Sequence, residues 1–293
     1  MLPREALMQV ARDVYRSYGF SPIDTPALEY AEILCGKGSE ETDKQMYRFH
    51  DHGDRDVGLR FDLTVPLARF AAQHIGELGT PFKRYHIAPV WRGENTQRGR
   101  YREFVQCAFD TIGTTSIASD AEILLVISDL LCRLDVPEFT LHINHRGVLT
   151  GALQRLELST QSAQVLRALD KLAKIGPDKV IAELQERAGA SPDQARRVVE
   201  LAMCDGENDA ILSDLEGAAG GTDAGDAGLR VLREVMRLVG AAGFPSGRLQ
   251  IDPSIARGLD YYTGLVVETF LDALPGMGSI CSGGRYDCLL YTS

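Results

Sequence analysis

Residues 84–91, RYHIAPVW, and residues 102–112, REFVQCAFDTI, are joined by the polar stretch RGENTQRGRY at 92–101. Both flanking stretches alternate apolar and polar residues, as half-buried β-strands do. A polar segment between two such stretches is typical of a long antiparallel hairpin with a charged loop. The sequence therefore predicts a sheet built on this hairpin, and it fixes which side chains share a face.

One face of the second strand carries Phe104, Gln106, Ala108 and Asp110, because side chains alternate across a strand with period two. An aromatic ring, an amide and a carboxylate suit the floor of a polar ligand site better than an apolar core. A surface hairpin with a solvated face is the alternative interpretation, and the hairpin alone leaves it open.

The hairpin region is basic within an acidic chain. The chain has 31 basic and 41 acidic residues and a net charge of −10, which disfavours sequence-independent nucleic-acid binding over its whole surface. Between Pro81 and Arg102, only Glu94 opposes the basic residues, which are Lys83, Arg84, Arg92, Arg98, Arg100 and Arg102. Such a segment indicates a specific anionic ligand, for example a polyphosphate, or a solvated basic face.

Hydrophobic periodicity predicts further elements on both sides of the hairpin. They are a helix at 3–18, a strand opening residues 57–70 that becomes a helix near Pro66, a helix at about 120–134 and a strand at 139–145. Thr64 is the predicted N-cap of the helix near Pro66.

The stretch 149–240 has helical texture only, and strand texture returns after it. Its Gly/Ala/Asp-rich segment 217–228 is predicted to be a flexible connector. The sequence therefore predicts an α+β fold with a first core part at 1–148, a helical insertion subdomain at 149–240 and a second core part at 241–293.

Several classes of protein and site are disfavoured. No apolar run approaches a membrane span, and the N-terminus has no signal-peptide core, so no membrane association is expected. The six cysteines form no Cys-x-x-Cys pair, which favours a reducing, cytoplasmic setting. The histidine pairs at 50/52 and 142/145 lack further ligands at suitable spacing, so no protein metal site is predicted.

Residues 91–113, WRGENTQRGRYREFVQCAFDTIG, resemble motif 2 of the class II aminoacyl-tRNA synthetases in its histidyl form. Four further blocks resemble the same family: GFSPIDTPALEY (19–30) its motif 1, RFDLTVPLARF (60–70) its amino-acid loop, ARGLDYYTG (256–264) its histidyl-specific signature and SGGRYD (282–287) its histidine-binding glycine block. The resemblance implies the class II antiparallel sheet flanked by helices, and a homodimer through motif 1.

The resemblance also implies a reaction, in which ATP, taken with Mg²⁺, activates L-histidine to histidyl-adenylate for transfer to tRNA(His). Arg92 would grip the α-phosphate and the carboxylate, and Arg257 would lie across the same two groups, which makes these two the expected catalytic residues. Arg100 would meet the distal phosphates, while Glu94 and Phe104 would position adenine. Guanidinium groups suit these roles because they are planar and permanently charged.

The family's histidine pocket maps onto ten positions. An imidazole offers a donor and an acceptor, for which Asp110 and Tyr262 are the expected partners. Asp62 and Thr64, with Leu63 between them and Gln106 alongside, would receive the α-ammonium group. The remaining expected contacts are Arg92, Arg257, Tyr261 and Tyr286; for the two tyrosines a place in the core is the alternative.

The chain also departs from the family pattern. It ends before the expected motif 3 arginine and the anticodon-binding domain, and Cys288–Ser293 do not resemble the family's continuation. We therefore expect a fragment with impaired activity. The alternative is a non-enzymatic paralogue, the histidine-binding regulatory subunit of ATP phosphoribosyltransferase. Such paralogues tend to lose motif 2 and RGLDYY residues, which are present here, so the synthetase interpretation is favoured.

Overall fold

The computed structural model describes residues 2–35, 44–95, 99–255 and 262–287. The chain divides into two units, the first of Met1–Ser119, Leu125–Val136 and Asp287–Ser293, and the second of Asp120–Leu124 and Pro137–Tyr286. The sequence-based division at 148/149 and 240/241 stays a prediction.

The first unit alternates short strands with helices. Its elements are α1 (Leu2–Ser17), β1 (Ser21–Pro22), β2 (Leu28–Tyr30), α2 (Ala31–Leu34), β3 (Arg48–His50), β4 (Asp56–Leu59), α3 (Thr64–His74), β5 (Phe82–Trp91) and β6 (Glu103–Ile112). Helix α4 (Ile117–Arg133) follows, and its residues Asp120–Leu124 belong to the second unit. The helix predicted at about 120–134 is confirmed, and it begins earlier because Ser116 Oγ accepts a hydrogen bond from Ala118 N at 3.3 Å.

The predicted hairpin is confirmed. Strands β5 and β6 pair antiparallel over ten residues, and the register places Arg84 opposite Asp110 and Ala88 opposite Gln106. Strand β1 adds to β5 in parallel, which gives the order β1-β5-β6, while β2, β4 and β3 form a second, antiparallel sheet.

The two faces of the hairpin have different surroundings. Tyr85 and Phe109 lie on the face that α1 covers, with their ring centroids 5.4 and 5.0 Å from that of the buried Tyr15. The apolar residues of α1 recur at helical spacing, so the helix buries one side here. The opposite face therefore carries the even-numbered residues, including Gln106 and Asp110.

The second unit combines a mixed sheet with a block of helices. Its elements are β7 (Phe139–His145), α5 (Arg146–Arg155), a 3-10 turn (Ser159–Gln161), α6 (Ser162–Leu169), α7 (Leu172–Ile175), α8 (Pro177–Ala188), α9 (Pro192–Ala202), α10 (Asn208–Ala219), α11 (Asp223–Ala241), β8 (Leu249–Ile251), β9 (Leu265–Leu271), a second 3-10 turn (Pro275–Met277) and β10 (Cys281–Gly284). The sheet order is β10-β9-β7-β8, with β8 parallel to β7 and the other pairs antiparallel.

The prediction of a flexible connector at 217–228 is wrong. Helix α10 continues to Ala219 and α11 begins at Asp223, where Thr222 Oγ1 accepts a hydrogen bond from Gly225 N at 3.1 Å. The glycine content reflects close packing. A Cβ atom on Gly225 would collide with the carbonyl oxygen of Ala219, and one on Gly151 in α5 would lie 2.7 Å from Gly225 Cα.

Helices and predominantly antiparallel sheets make up both units, so the predicted α+β class is confirmed. Over the described part of the chain, every helix is too short or too polar to span a membrane.

Candidate functional site

The segment Asp62–Thr64 precedes and opens α3. Asp62 Oδ1 accepts hydrogen bonds from the backbone N–H groups of Thr64 and Val65, both at 2.9 Å. The prediction that Thr64 caps this helix is wrong, because Thr64 is its first residue and Asp62 provides the capping oxygen. Burial raises the pKa of Asp62, while the two N–H groups, Arg92 and Arg84 oppose the rise.

The hairpin face meets this segment through Gln106. The Oε1 atom of Gln106 accepts a hydrogen bond from Leu63 N at 3.2 Å. Leu63 is fully buried and packs with Ala88 and Val90 of β5. The structure therefore brings four of the predicted histidine contacts, Asp62, Leu63, Thr64 and Gln106, to one end of α3.

Asp110 lies on the same face, two residues further along β6 from Ala108. Its carboxylate pairs with the buried guanidinium of Arg84, with Nη2 2.5 Å from Oδ2, and the Asp110 side chain is 13% exposed. The same Arg84 Nη2 donates a hydrogen bond to the Leu63 carbonyl oxygen at 3.0 Å. Asp110 and the Asp62–Thr64 segment are thus joined through one arginine.

Arg92 lies close to two aromatic rings. Its guanidinium carbon lies 4.4 Å from the ring centroid of Phe61 and 5.1 Å from that of Phe104, and Nε donates to the Phe61 carbonyl oxygen at 3.2 Å. These contacts restrict the position of a guanidinium group whose charge is permanent. This arrangement suits a cation that must keep its attraction for an anionic ligand.

Glu94 and Arg100 form an ion pair at the open end of the hairpin, with Arg100 Nη1 3.2 Å from Glu94 Oε2. The side chains are 23% and 57% exposed respectively, so the pair contributes little to stability. Arg102 Nε also donates to the Glu94 carbonyl oxygen, at 3.3 Å. Arg98 of the basic segment lies outside the described residues.

The second unit carries the remaining described site residues. Arg146 Nη1 donates to the Tyr262 carbonyl oxygen at 3.1 Å, and the Tyr262 ring lies against Gly284, where a Cβ atom would be 2.9 Å from Tyr262 Cδ1. Tyr286 follows β10 and is partly buried. The predicted contacts Arg257 and Tyr261 lie outside the described residues.

Two titratable side chains of this unit were not assigned a role from the sequence. Arg285, next to Tyr286, forms a two-pronged pair with Asp120, with Nε and Nη2 at 3.1 and 3.0 Å from its carboxylate oxygens. His145 Nδ1 accepts a hydrogen bond from Gly147 N at 3.0 Å and so caps α5. Burial, and secondarily the charge of Arg285, lowers the pKa of His145 to about 4.

Arg84 was counted in the sequence only as one of six basic residues. Its partner, Asp110, could nevertheless have been predicted from the hairpin. Trp91 pairs with Glu103 beside the loop, and Arg84 stands seven residues before Trp91 just as Asp110 stands seven after Glu103. A cation and a carboxylate at matching distances from a hairpin loop fall directly opposite each other.

Comparisons with known proteins agree with these motifs. A family model described as histidyl-tRNA synthetase matches residues 2–292. The histidine--tRNA ligase of Rhodopirellula baltica is 60% identical over 100% of this chain and 66% of its own length. The chain therefore spans about two thirds of that relative.

Solved structures give the same result for the fold. The histidyl-tRNA synthetase from Nostoc sp. PCC 7120 is 37% identical, with a TM-score of 0.85 over 98% of this chain and 65% of that one. A protein described as an ATP phosphoribosyltransferase regulatory subunit/histidyl-tRNA synthetase from Bacillus halodurans C has a TM-score of 0.86 at 24% identity, over 98% of this chain and 73% of its own, which shows a shared fold alone. Because the family model covers nearly all of its residues, the chain belongs to the histidyl-tRNA synthetase family.

Proposed function

We propose that this protein is a histidine–tRNA ligase, which activates L-histidine with ATP and transfers the histidyl group to the 3′ end of tRNA(His). The observation that carries the proposal is the convergence of Asp62, Gln106, Asp110 and Arg92 around the buried Leu63. The 60% identity to a protein named histidine--tRNA ligase supports it.

Activation is an in-line displacement at phosphorus. A carboxylate oxygen of histidine forms a bond to the α-phosphorus of ATP, the bond to the bridging oxygen of the β-phosphate breaks, and pyrophosphate leaves. Negative charge accumulates on the phosphoryl oxygens, and the guanidinium of Arg92 is suited to stabilise it. Arg257 remains a predicted partner in this role, and Arg100 a predicted contact of the distal phosphates.

Histidine recognition needs groups that match both ends of the amino acid. The carboxylates of Asp62 and Asp110 accept hydrogen bonds, the first from an ammonium group and the second from a ring N–H. A site whose polar groups are buried rejects ligands that leave them unpaired, by roughly 10⁴-fold in favourable cases. Glu94 and Phe104 as adenine contacts, and Tyr261, Tyr262 and Tyr286 as further histidine contacts, are part of the same proposal.

Mg²⁺ would enter with ATP. Within the ranges that the structure describes, no three His, Cys, Asp or Glu side chains are grouped so that they could hold a metal ion. The phosphate oxygens and water would therefore supply most of its ligands, which is how Mg²⁺ is usually bound with nucleotides.

Two further parts of the proposal concern the state of the protein. The likeness of residues 19–30 to motif 1 supports a homodimer, and the scattered cysteines support a cytoplasmic setting. Light scattering coupled to size-exclusion chromatography tests the first, and a single-chain mass would contradict it.

The test of the proposed function is selective binding of L-histidine by the 293-residue chain, measured by titration calorimetry and compared with binding of L-phenylalanine. We expect histidine to bind and phenylalanine to give no heat. Gln106→Ala should weaken histidine binding about tenfold, since it removes one hydrogen bond that orders Leu63. Gln9→Ala, which removes an amide paired with Asp13 on the exposed side of α1, is the control.

Pyrophosphate exchange then separates the enzyme from the regulatory alternative. Histidine-dependent exchange of label between pyrophosphate and ATP is expected for a ligase, at a reduced rate in this chain, and the non-enzymatic paralogue would bind histidine without exchange. Equal binding of histidine and phenylalanine would overturn both the ligase and the regulatory-subunit interpretation.

A further inference from the structure

Arg84, the arginine that joins Asp110 to the Asp62–Thr64 segment, is not among the residues assigned to the proposed reaction. Arg84 lies on β5 directly opposite Asp110 on β6, and it is fully buried. Arg84 Nη2 and Asp110 Oδ2 form an ion pair with a separation of 2.5 Å. The position of the Asp110 carboxylate is therefore set by Arg84.

The same nitrogen also fixes a backbone group. Arg84 Nη2 donates to the Leu63 carbonyl oxygen at 3.0 Å, while Leu63 N donates to Gln106 Oε1 at 3.2 Å. Leu63 is thus held at both its N–H and its carbonyl group by the two strands of the hairpin. Because Leu63 lies between Asp62 and Thr64, their positions are set relative to Asp110.

Stability alone does not account for an arginine at this position. Among the described residues, Arg84 Nε and Nη1 find no hydrogen-bond partner although both atoms are buried. Buried donors without partners destabilise a fold, and an apolar residue of similar volume would often serve the packing as well or better. Buried polar groups without partners are found mostly at functional sites, where a ligand or a reaction requires them.

We propose that Arg84 is a positioning residue that sets the distance between the two ends of the bound amino acid. Resting on the proposed function, the inference takes Asp110 as the acceptor for the ring N–H of histidine and Asp62 as the acceptor for its α-ammonium group. One guanidinium nitrogen bonded to both sides makes that distance rigid. The site accordingly selects for side-chain length as well as for ring chemistry.

The test measures affinity for L-histidine and for L-homohistidine, which has one more methylene group, by titration calorimetry. Arg84→Met keeps an unbranched side chain that can remain buried, and it removes both bonds. We expect it to weaken histidine binding at least about tenfold and to reduce the preference for histidine over homohistidine. Arg55→Met, which removes another arginine–carboxylate pair of the first unit (Arg55 Nη2 to Asp51 Oδ2, 2.6 Å), should leave both quantities unchanged.

A double-mutant cycle with Asp110→Asn tests whether Arg84 acts through Asp110. In that background, Arg84→Met should change histidine affinity by less than about threefold, because the carboxylate that it positions is gone. If circular dichroism shows that Arg84→Met does not fold, Arg84→Lys replaces it. The lysine nitrogen ends closer to the backbone than Arg84 Nη2, so it cannot keep both separations, and the length preference should again fall.

The outcomes are distinct. Arg84→Met with wild-type affinity, an equal loss for both ligands, or full additivity with Asp110→Asn would each overturn the positioning role. A wild-type chain that shows no preference for histidine over phenylalanine would instead overturn the proposed function, and the inference with it.

Discussion

A buried guanidinium opposite a nearly buried carboxylate links the stability of the first unit to its proposed ligand site. Arg84 and Asp110 each occupy the even-numbered face of the β5–β6 hairpin, away from α1. The pair is favourable only while both members are charged and close, because each alone would be an uncompensated charge in a poorly solvated place. A change at Asp110 therefore affects folding as well as recognition.

Asp110→Asn should lower the free energy of unfolding by about 3–5 kcal/mol, because it leaves the buried Arg84 charge without its partner. Urea denaturation followed by circular dichroism measures the change. In the Arg84→Met/Asp110→Asn double variant both charges are absent, and much of the lost stability should return.

The control for this prediction is Asp13→Asn, which removes an exposed carboxylate that accepts from Gln9. It should stay within about 0.5 kcal/mol of the wild type. An Asp110→Asn variant as stable as this control would mean that the Arg84 charge is solvated in some other way.

His145 predicts how stability depends on pH. Its folded-state pKa of about 4 lies below its ordinary value of 6.5, so the neutral ring is the form that the fold accepts. Between pH 6.5 and 4 the unfolded chain takes up a proton that the folded chain does not. The contribution of His145 to stability therefore falls as the pH falls through this window, by at most about 1.4 kcal/mol per pH unit.

His145→Asn isolates this contribution, because an asparagine oxygen can still accept the hydrogen bond from Gly147 N but does not titrate. Unfolding free energies of both proteins should be compared from pH 7 to pH 4.5, and the variant should lose stability less steeply. Parallel curves would show that His145 does not carry the dependence.

Elements were predictable wherever one periodicity persisted over many residues. The hairpin and the strand at 139–145 alternate with period two, and their predicted positions are confirmed with shifts of a few residues at most. What the sequence did not reveal is burial of charge. Arg84 looks like any other member of a basic segment, and only pairing across the hairpin distinguishes it.

Glycine gave a misleading signal at 217–228. Its abundance there was interpreted as flexibility, whereas Gly225 is needed because the start of α11 packs closely against the carbonyl group of Ala219 at the end of α10. Prediction from local sequence interprets glycine as backbone flexibility. Here the missing side chain makes room for a neighbouring element.

Gly225→Ala should therefore destabilise the protein, by about 1–3 kcal/mol, because its methyl group would collide with the Ala219 carbonyl oxygen. Thermal unfolding by circular dichroism measures this. Gly240→Ala is the matched control in the same helix: no atom lies within 4 Å of its Cβ position, and alanine favours the helix by up to about 1 kcal/mol. Equal melting temperatures for the two variants would contradict the packing explanation.

At the scale of the whole molecule, five short blocks of sequence were enough to identify the family and the fold, because their order along the chain is itself informative. The three-dimensional arrangement of Arg257 and Tyr261 was not obtained, since both lie outside the described residues. The roles of the described site residues of the first unit stay predictions, and Arg84 is the residue added to them.

The net charge of −10 belongs to the molecule as a whole and predicts its colloidal behaviour. With an isoelectric point near 5.1, repulsion between molecules vanishes close to pH 5. Turbidity of a concentrated solution, measured from pH 4 to pH 8 at low salt, should be greatest near pH 5. A maximum above pH 6.5 would indicate that the surface charge differs from the formal one.

The capped turn at Asp62 has one more consequence. Because its carboxylate accepts hydrogen bonds from the N–H groups of Thr64 and Val65, the turn needs little reorganisation when an ammonium group arrives. The loss of conformational entropy on binding is then small, since it was incurred when the chain folded. Association at this end of the site becomes a matter of diffusion and orientation, with no slow ordering of the backbone beforehand.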